Sequence, residues 1–129
     1  MEHQLFKITQ NIILKNKDGK VLILKHNTGK WLLPGGKINK GENSLEGLKR
    51  ELKEETGADQ FEIEKIVDMD TWEENDQGHC VITFLGSISL DKIILSEEHI
   101  DSVWVDINEL DKYQFWNEKI KTRIKKALS

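Results

Sequence analysis

Aliphatic and β-branched residues crowd residues 6–15 and the run Val21-Leu22-Ile23-Leu24, and each stretch predicts a strand. Between them Lys17-Asp18-Gly19-Lys20 carries the Asp-Gly pair of a tight hairpin turn. Further strands are expected at residues 61–69, 79–89 and 103–105. The only proline, Pro34, precedes Gly35-Gly36, and that trio should end the Trp31-Leu32-Leu33 segment and open a loop. A change to helical spacing follows. Asn43 and Glu46 stand at capping-box separation, and Gly57 takes the place of a C-terminal glycine. Along residues 43–56, Leu45, Leu48 and Leu52 share one stripe that should face a core. Ile120, Ile124 and Leu128 form the apolar stripe of a last helix, at residues 116–128. Strands and helices mixed along one short chain predict a layered α/β or α+β domain, and the 129 residues suit a single domain, 1–129.

Composition narrows the setting. With 37% hydrophobic and 33% charged residues the chain belongs with globular proteins. No apolar run approaches the ~20 residues that cross a bilayer, and Met1-Glu2-His3-Gln4 lacks the marks of a secretion signal, so no membrane partner is expected. One cysteine, Cys80, cannot form an internal disulfide, which makes a reducing cytoplasm the expected compartment. Its apolar surroundings mark it as a core residue. A net charge of −4 argues against a stable nucleic-acid partner. The charge is uneven: residues 91–111 hold seven acids and one base, residues 112–126 six bases and one acid. A solvated terminal helix whose cations suit its dipole accounts for the basic end better than an RNA-binding face does.

The first helix carries an anomaly. Glu51, Glu54 and Glu55 gather on one side, three and four residues apart, at roughly 5–6 Å between Cβ atoms. Like charges at that spacing cost about 0.2–0.5 kcal/mol per pair, and two of the three lie in the last turn, where the helix dipole disfavours anions. An ordinary solvated Glu/Lys-rich helix would alternate its signs. A local penalty without a packing reward points to function. Hard divalent cations take such oxygen ligands and keep substrate phosphates and water in their other positions. Gly47, a turn before Glu51, would leave room for a phosphate. Gly35 and Gly36 would let the backbone approach a ligand or metal, and Lys37 could meet a phosphate as a point charge.

The spacing Gly36, five residues, Glu42, seven residues, Arg50-Glu51-Leu52, Lys53, Glu54-Glu55, Thr56, Gly57-Ala58 resembles the signature of the Nudix hydrolase family. Ala58 stands where a larger aliphatic residue is usual, a departure that touches packing rather than chemistry. The likeness extends to the leading strands, the approach from Trp31 to Gly36, the Trp104 segment and the terminal helix. It implies an α/β/α sandwich around a mixed β-sheet and hydrolysis of a nucleoside diphosphate linked to another group. By the same resemblance Glu51, Glu54, Glu55 and the carbonyl of Gly36 would hold Mg²⁺, or Mn²⁺ in its place, with Arg50 and Glu42 orienting the carboxylates. Glu98, with Glu97 as alternate, would add a ligand or general base, and either Glu54 or Glu98 would take the proton from the attacking water.

Substrate signals are softer. Leu33-Pro34-Gly35-Gly36-Lys37-Ile38 resembles the MutT-type nucleoside-triphosphate branch, and Asn117 falls where that branch places a base-reading asparagine. Asn117 is equally a good helix cap. Gly78 stands near where that branch uses a base-contacting arginine, which weakens any expectation of oxidised guanine. The proline of the ADP-ribose branch and the tyrosine of the diadenosine-polyphosphate branch are absent at their usual distance past the motif. A small nucleotide is therefore the expected partner, a nucleoside triphosphate first. The alternatives are a dinucleoside-polyphosphate or RNA 5′-end hydrolase, then an ADP-ribose hydrolase or a non-catalytic nucleotide sensor. Trp72, Phe84, Phe115 and Trp116 are candidates to stack on a base; His26, His79 and His99 lack metal-ligand spacing and read as structural or exposed. Oligomeric state is not legible.

Overall fold

The computed structural model describes residues 2–89, 93, 97 and 99–128. Among these residues seven strands and two helices follow in the order β1 (Phe6–Lys15), β2 (Val21–His26), β3 (Trp31–Leu32), β4 (Gly35–Lys37), α1 (Ser44–Thr56), β5 (Glu62–Glu74), β6 (Gln77–Ser87), β7 (His99–Val105) and α2 (Glu118–Leu128), with a 3-10 helix at Ile107–Lys112 before α2. The sheet is mixed. β1 runs parallel to β6 from Phe6↔Gly78 to Lys15↔Ser87, while the other strand-to-strand pairings among the described residues are antiparallel. The expected hairpin at Asp18-Gly19 is present, closed by Asn16 N–H donating to Lys20 C=O at 2.9 Å. A second two-residue turn, Asn75-Asp76, joins β5 to β6, both residues having positive φ (52° and 63°) as a type I′ hairpin requires.

Successive residues of β1 point to opposite faces and so feed two cores. Ile12 and Leu14 join Leu22, Leu24, Leu48, Leu52 and Phe84 under α1. Ile13 joins Ile23, Trp31, Leu33, Phe115, Ile120 and Ile124 under α2. This is the α/β/α sandwich with a mixed sheet that the resemblance implies. Cys80 is buried, as its surroundings suggested. The cations of α2 meet acids of the neighbouring elements: Arg123 Nε lies 2.8 Å from Asp68 and Lys119 Nζ 3.2 Å from Asp70, both on β5. The basic end of the sequence is thus largely answered within the fold.

Two expectations need correction. Gly35-Gly36-Lys37 is not a loop but the strand β4, paired to β1 through Asn11↔Gly35, Gln10↔Gly36 and Thr9↔Lys37. Leu45 does not face the core; it is 45% exposed. The buried face of α1 is formed by Gly47, Leu48, Leu52, Glu55 and Thr56, rotated away from Leu45 toward the acidic side of the helix.

The sheet forks. β1 and β2 meet only beside their turn, at Lys15↔Val21. Beyond it β4 pairs with β1, and β3 pairs with β2 at Leu24↔Leu32 and Lys25↔Trp31. Leu33 and Pro34 carry the chain from one arm to the other, where Ile12 N–H donates to Pro34 C=O at 3.0 Å.

Candidate active site

The helix bearing the carboxylates is set at both ends. Asn43 accepts from Glu46 N–H at 2.9 Å, and Glu46 accepts in return from Asn43 N–H at 3.2 Å. Gly57, in the left-handed region at φ 77°, donates to Lys53 C=O at 2.9 Å. Gln10 ties the first turn to β1, donating from Nε2 to Ser44 C=O at 2.9 Å. With the helix so placed, β4 and α1 interlock residue by residue.

Gly35 N–H donates to Glu55 Oε1 at 2.7 Å, Gly36 packs against the Glu51 carboxylate, and Lys37 C=O accepts from Arg50 Nη2 at 2.9 Å. Gly35 is sterically required, and Gly36 is closely packed. A Cβ on Gly35, whose φ is +149°, would lie 2.1 Å from Gln10 O. A Cβ on Gly36 would lie 2.4 Å from Glu51 Cδ. The glycines therefore bring the backbone close to β1 and to a helix carboxylate. Gly47 also differs from expectation: it is buried, and a Cβ there would meet Glu42 Oε1, Gln10 Nε2 and Ile38 Cα at 3.4–3.6 Å. Protein, not open space, lies before it.

Arg50 organises the acidic side. Its Nε and Nη2 donate to the two oxygens of Glu42 at 2.6 and 3.1 Å, and Nη1 donates to Glu51 at 2.9 Å and Glu54 at 3.3 Å. Asn39 N–H adds a 2.7 Å bond to Glu42 Oε1. The Arg50 guanidinium, and then the Asn39 N–H, hold the Glu42 carboxyl below its ordinary pKa, while Glu42 and Glu51 push the Arg50 value up. Glu54 is the most open of Glu51, Glu54 and Glu55, with 58% of its side chain exposed against 19% for Glu51.

Glu55 stands apart from that cluster. It is buried at 4% exposure, anchored by Gly35 N–H and 3.5 Å from Nε2 of the equally buried His99. No local spacing picks out His99, because its partner lies far along the chain; the pairing of β7 with β2 brings it in, at His26↔His99. Among the described residues no three acidic, histidine or cysteine side chains are drawn together tightly enough to make a ready metal cluster. The available donors nonetheless suit a hard divalent cation: all are oxygens, and the missing Cβ of Gly36 keeps a backbone segment against the Glu51 carboxylate. Glu98 lies outside the described residues, and Glu97 is an exposed turn residue.

A groove of about 240 Å³ opens in the fork of the sheet, lined by Asn11, His26, Leu32, Gly36, Trp116 and Ile120 among others. Trp116 is fixed by its N–H, which donates to Trp31 C=O at 2.8 Å, and its half-exposed ring meets His26 edge-on at 5.2 Å. Asn117 caps α2, accepting from Ile120 N–H at 3.2 Å, and is not among the groove's lining residues. Of the other aromatic candidates, Phe84 and Phe115 are buried in the two cores, and Trp72 stacks on His79 at 5.4 Å. Lys37 is exposed at the outer end of β4. No helix among the described residues is long and apolar enough to cross a membrane.

The profile of the NUDIX domain matches residues 5–124. An ADP-ribose pyrophosphatase of Methanocaldococcus jannaschii is 30% identical over 113 residues, which cover 81% of this chain and 64% of that protein. The chain thus spans just under two thirds of that relative's length. Among solved structures, a MutT protein from Methanosarcina mazei superposes with a TM-score of 0.79 at 28% identity, covering 97% of this chain and 94% of the other. A C. elegans Ap4A hydrolase superposes with a TM-score of 0.78, covering 94% of each chain, and at 21% identity it attests the shared fold alone.

Proposed function

The chain belongs to the Nudix family, and from that premise we propose that it is a pyrophosphohydrolase that cleaves a nucleoside triphosphate to a nucleoside monophosphate and pyrophosphate. The observation that carries this reading is the double position of Gly36, which touches the Glu51 carboxylate and also lines the groove beside Trp116. A nucleotide lying across Gly36 would have its phosphates at the acidic helix and its base in the fork. The likeness to a MutT protein at 28% identity supports a triphosphate.

Glu51, Glu54, Glu55 and the Gly36 carbonyl would hold Mg²⁺, with Mn²⁺ as the alternative. When bound, the ion supplies charge neutralisation at the phosphate oxygens and lowers the pKa of water at the site. The chain's own groups do the rest. Arg50 holds Glu51 and Glu54 in place through one nitrogen, and its fork on Glu42 fixes the guanidinium. Glu54, the most open of the three glutamates, takes the proton as water oxygen bonds to phosphorus and the anhydride P–O bond breaks. Pyrophosphate leaves with the bridging oxygen. Glu98 is the other candidate for that proton. Lys37, exposed beside Gly36, meets a phosphate oxygen, and the groove holds the base. One domain spanning the chain carries the whole reaction, in a cytoplasmic setting.

A second reading rests on the M. jannaschii relative, named as an ADP-ribose pyrophosphatase. Incubation of the protein with nucleoside triphosphates, ADP-ribose, diadenosine polyphosphates and 5′-triphosphate RNA, each with Mg²⁺ or Mn²⁺, separates the readings by their products. Nucleoside monophosphate and pyrophosphate are expected from a triphosphate. Orthophosphate alone, or cleavage of ADP-ribose without any triphosphate, would overturn the first reading.

A further inference from the structure

Asn11 is out of place by every local rule. β1 is an inner strand, flanked by β6 on one side and by β2 and β4 on the other, and asparagine is depleted from such positions. Its neighbour Gln10 is also polar but is bonded to Ser44. Asn11 Oδ1, in contrast, is buried without a hydrogen-bond partner among the described residues. So is the hydroxyl of Thr83, which lies beside Asn11 in the β1–β6 register and is fully buried. Buried polar atoms nearly always have partners, and an unpaired one lowers stability. Here two adjacent atoms lack them, and Asn11 lines the groove in the fork.

We infer that Asn11 is a specificity-determining residue that accepts a hydrogen bond from an N–H of the substrate's base, with Thr83 beside it as a positioning residue. The inference rests on the proposed seating of the base in the groove. An acceptor that is short of a donor fixes the sign of the recognition. The base can bring a ring N–H or an exocyclic amine; ionised phosphate oxygens only accept, and the ribose could donate only through its hydroxyls, which every nucleotide compared below shares. A hydroxyl, able to donate or accept, suits the floor beside such a contact, where it can hold the carboxamide once the base has bound. A site built to bond a polar group rejects the analogue that lacks it far more strongly than an apolar pocket rejects a small change of size.

The test measures binding in EDTA, so that turnover plays no part. Isothermal titration compares nucleotides that differ at one N–H-bearing group: ATP with purine riboside triphosphate, GTP with N1-methyl-GTP, UTP with N3-methyl-UTP. The natural protein is expected to separate at least one pair by about tenfold or more. Asn11→Leu, close to isosteric, should reduce that separation to about threefold or less while raising the melting temperature, because it removes an unpaired polar atom. Thr83→Val changes less volume and serves if Asn11→Leu does not fold; it should also narrow the separation and raise the melting temperature. Full discrimination in the variants that fold, or no discrimination in the natural protein, would overturn the inference. A protein that separates a pair in binding but hydrolyses no triphosphate would sink the proposed reaction and leave this inference standing.

Discussion

Gly36 and Glu51 are packed so closely that a Cβ on the glycine would sit 2.4 Å from the glutamate's carboxyl carbon and within 2.7 Å of both its oxygens. Moving the carboxylate aside would break its bond to Arg50 Nη1, which holds one oxygen at 2.9 Å. Gly36→Ala should therefore push the Glu51 carboxylate away from Arg50 Nη1. We expect a loss of about 1–3 kcal/mol in stability from overpacking. The affinity for Mn²⁺, read by electron paramagnetic resonance, should fall by about tenfold or more, as expected when a group that orients a metal ligand is disturbed. Unaltered Mn²⁺ binding would remove Glu51 from the proposed ligand set.

Glu54 separates chemistry from stability. Its side chain is 58% exposed and its pair with Arg50, at 3.3 Å, is of the surface kind that contributes about 0–1 kcal/mol. Glu54→Gln should melt within a few degrees of the natural protein and lose about 10²–10⁴ in the rate of monophosphate release. A variant that keeps its rate would pass the role of base to Glu98.

The Glu42–Arg50 fork predicts a pH dependence. Arg50 and the Asn39 N–H hold the folded Glu42 carboxyl below its ordinary 4.5, so the unfolded chain binds a proton there more readily. The stabilisation is complete above pH 4.5 and is lost as pH falls through the depressed folded value. Urea midpoints of the natural protein and Glu42→Gln, followed from pH 6 to pH 3, should differ most at pH 6 and converge at the acid end. A constant difference across that range would show that the charge of Glu42 plays no part. Arg50→Lys, which keeps the charge but loses the planar fork, should resemble Glu42→Gln at pH 6.

These groups differ in how far the sequence exposed them. The capping box of Asn43 and Glu46, the glycine at 57 and the two apolar pairs Leu48/Leu52 and Ile120/Ile124 are local patterns, and each is where its spacing placed it. The family signature likewise named Arg50, Glu51, Glu54 and Glu55, which lie within two turns of one helix. Leu45 misled because hydrophobicity alone cannot tell which side of a helix meets a strand. β4 presents N–H and C=O groups rather than side chains, and α1 turns Glu55 and Arg50 toward it to bond them. Gly35 and Gly36 misled for a related reason: an open approach to ligand and a tight approach to protein both call for glycine. His99 and the fork between β1 and β2 depend on pairings between distant segments, which no local pattern records.

Two exposed tryptophans decide where the base lies. Trp116 is 48% exposed and Trp72 is 39% exposed, while Trp31 is buried. Trp72 already has His79 stacked at 5.4 Å and Lys119 Nζ 5.8 Å from its ring centre. Trp116 has a comparable cation, Lys30 Nζ at 5.9 Å, but no ring stacked on it: His26 meets it by an edge, at an interplanar angle of 82°, and Trp116 forms part of the groove that reaches Gly36. A base seated in the fork would stack on Trp116, a contact worth about 1–3 kcal/mol. Nucleoside monophosphate should therefore quench the fluorescence of the natural protein and of Trp72→Leu, but not that of Trp116→Leu. In the same variant KM should rise by about tenfold with kcat changed much less, since a base contact is made alike in ground and transition states. Quenching that survives in Trp116→Leu and disappears in Trp72→Leu would move the base to the β5–β6 end of the sheet, away from Asn11 and Gly36.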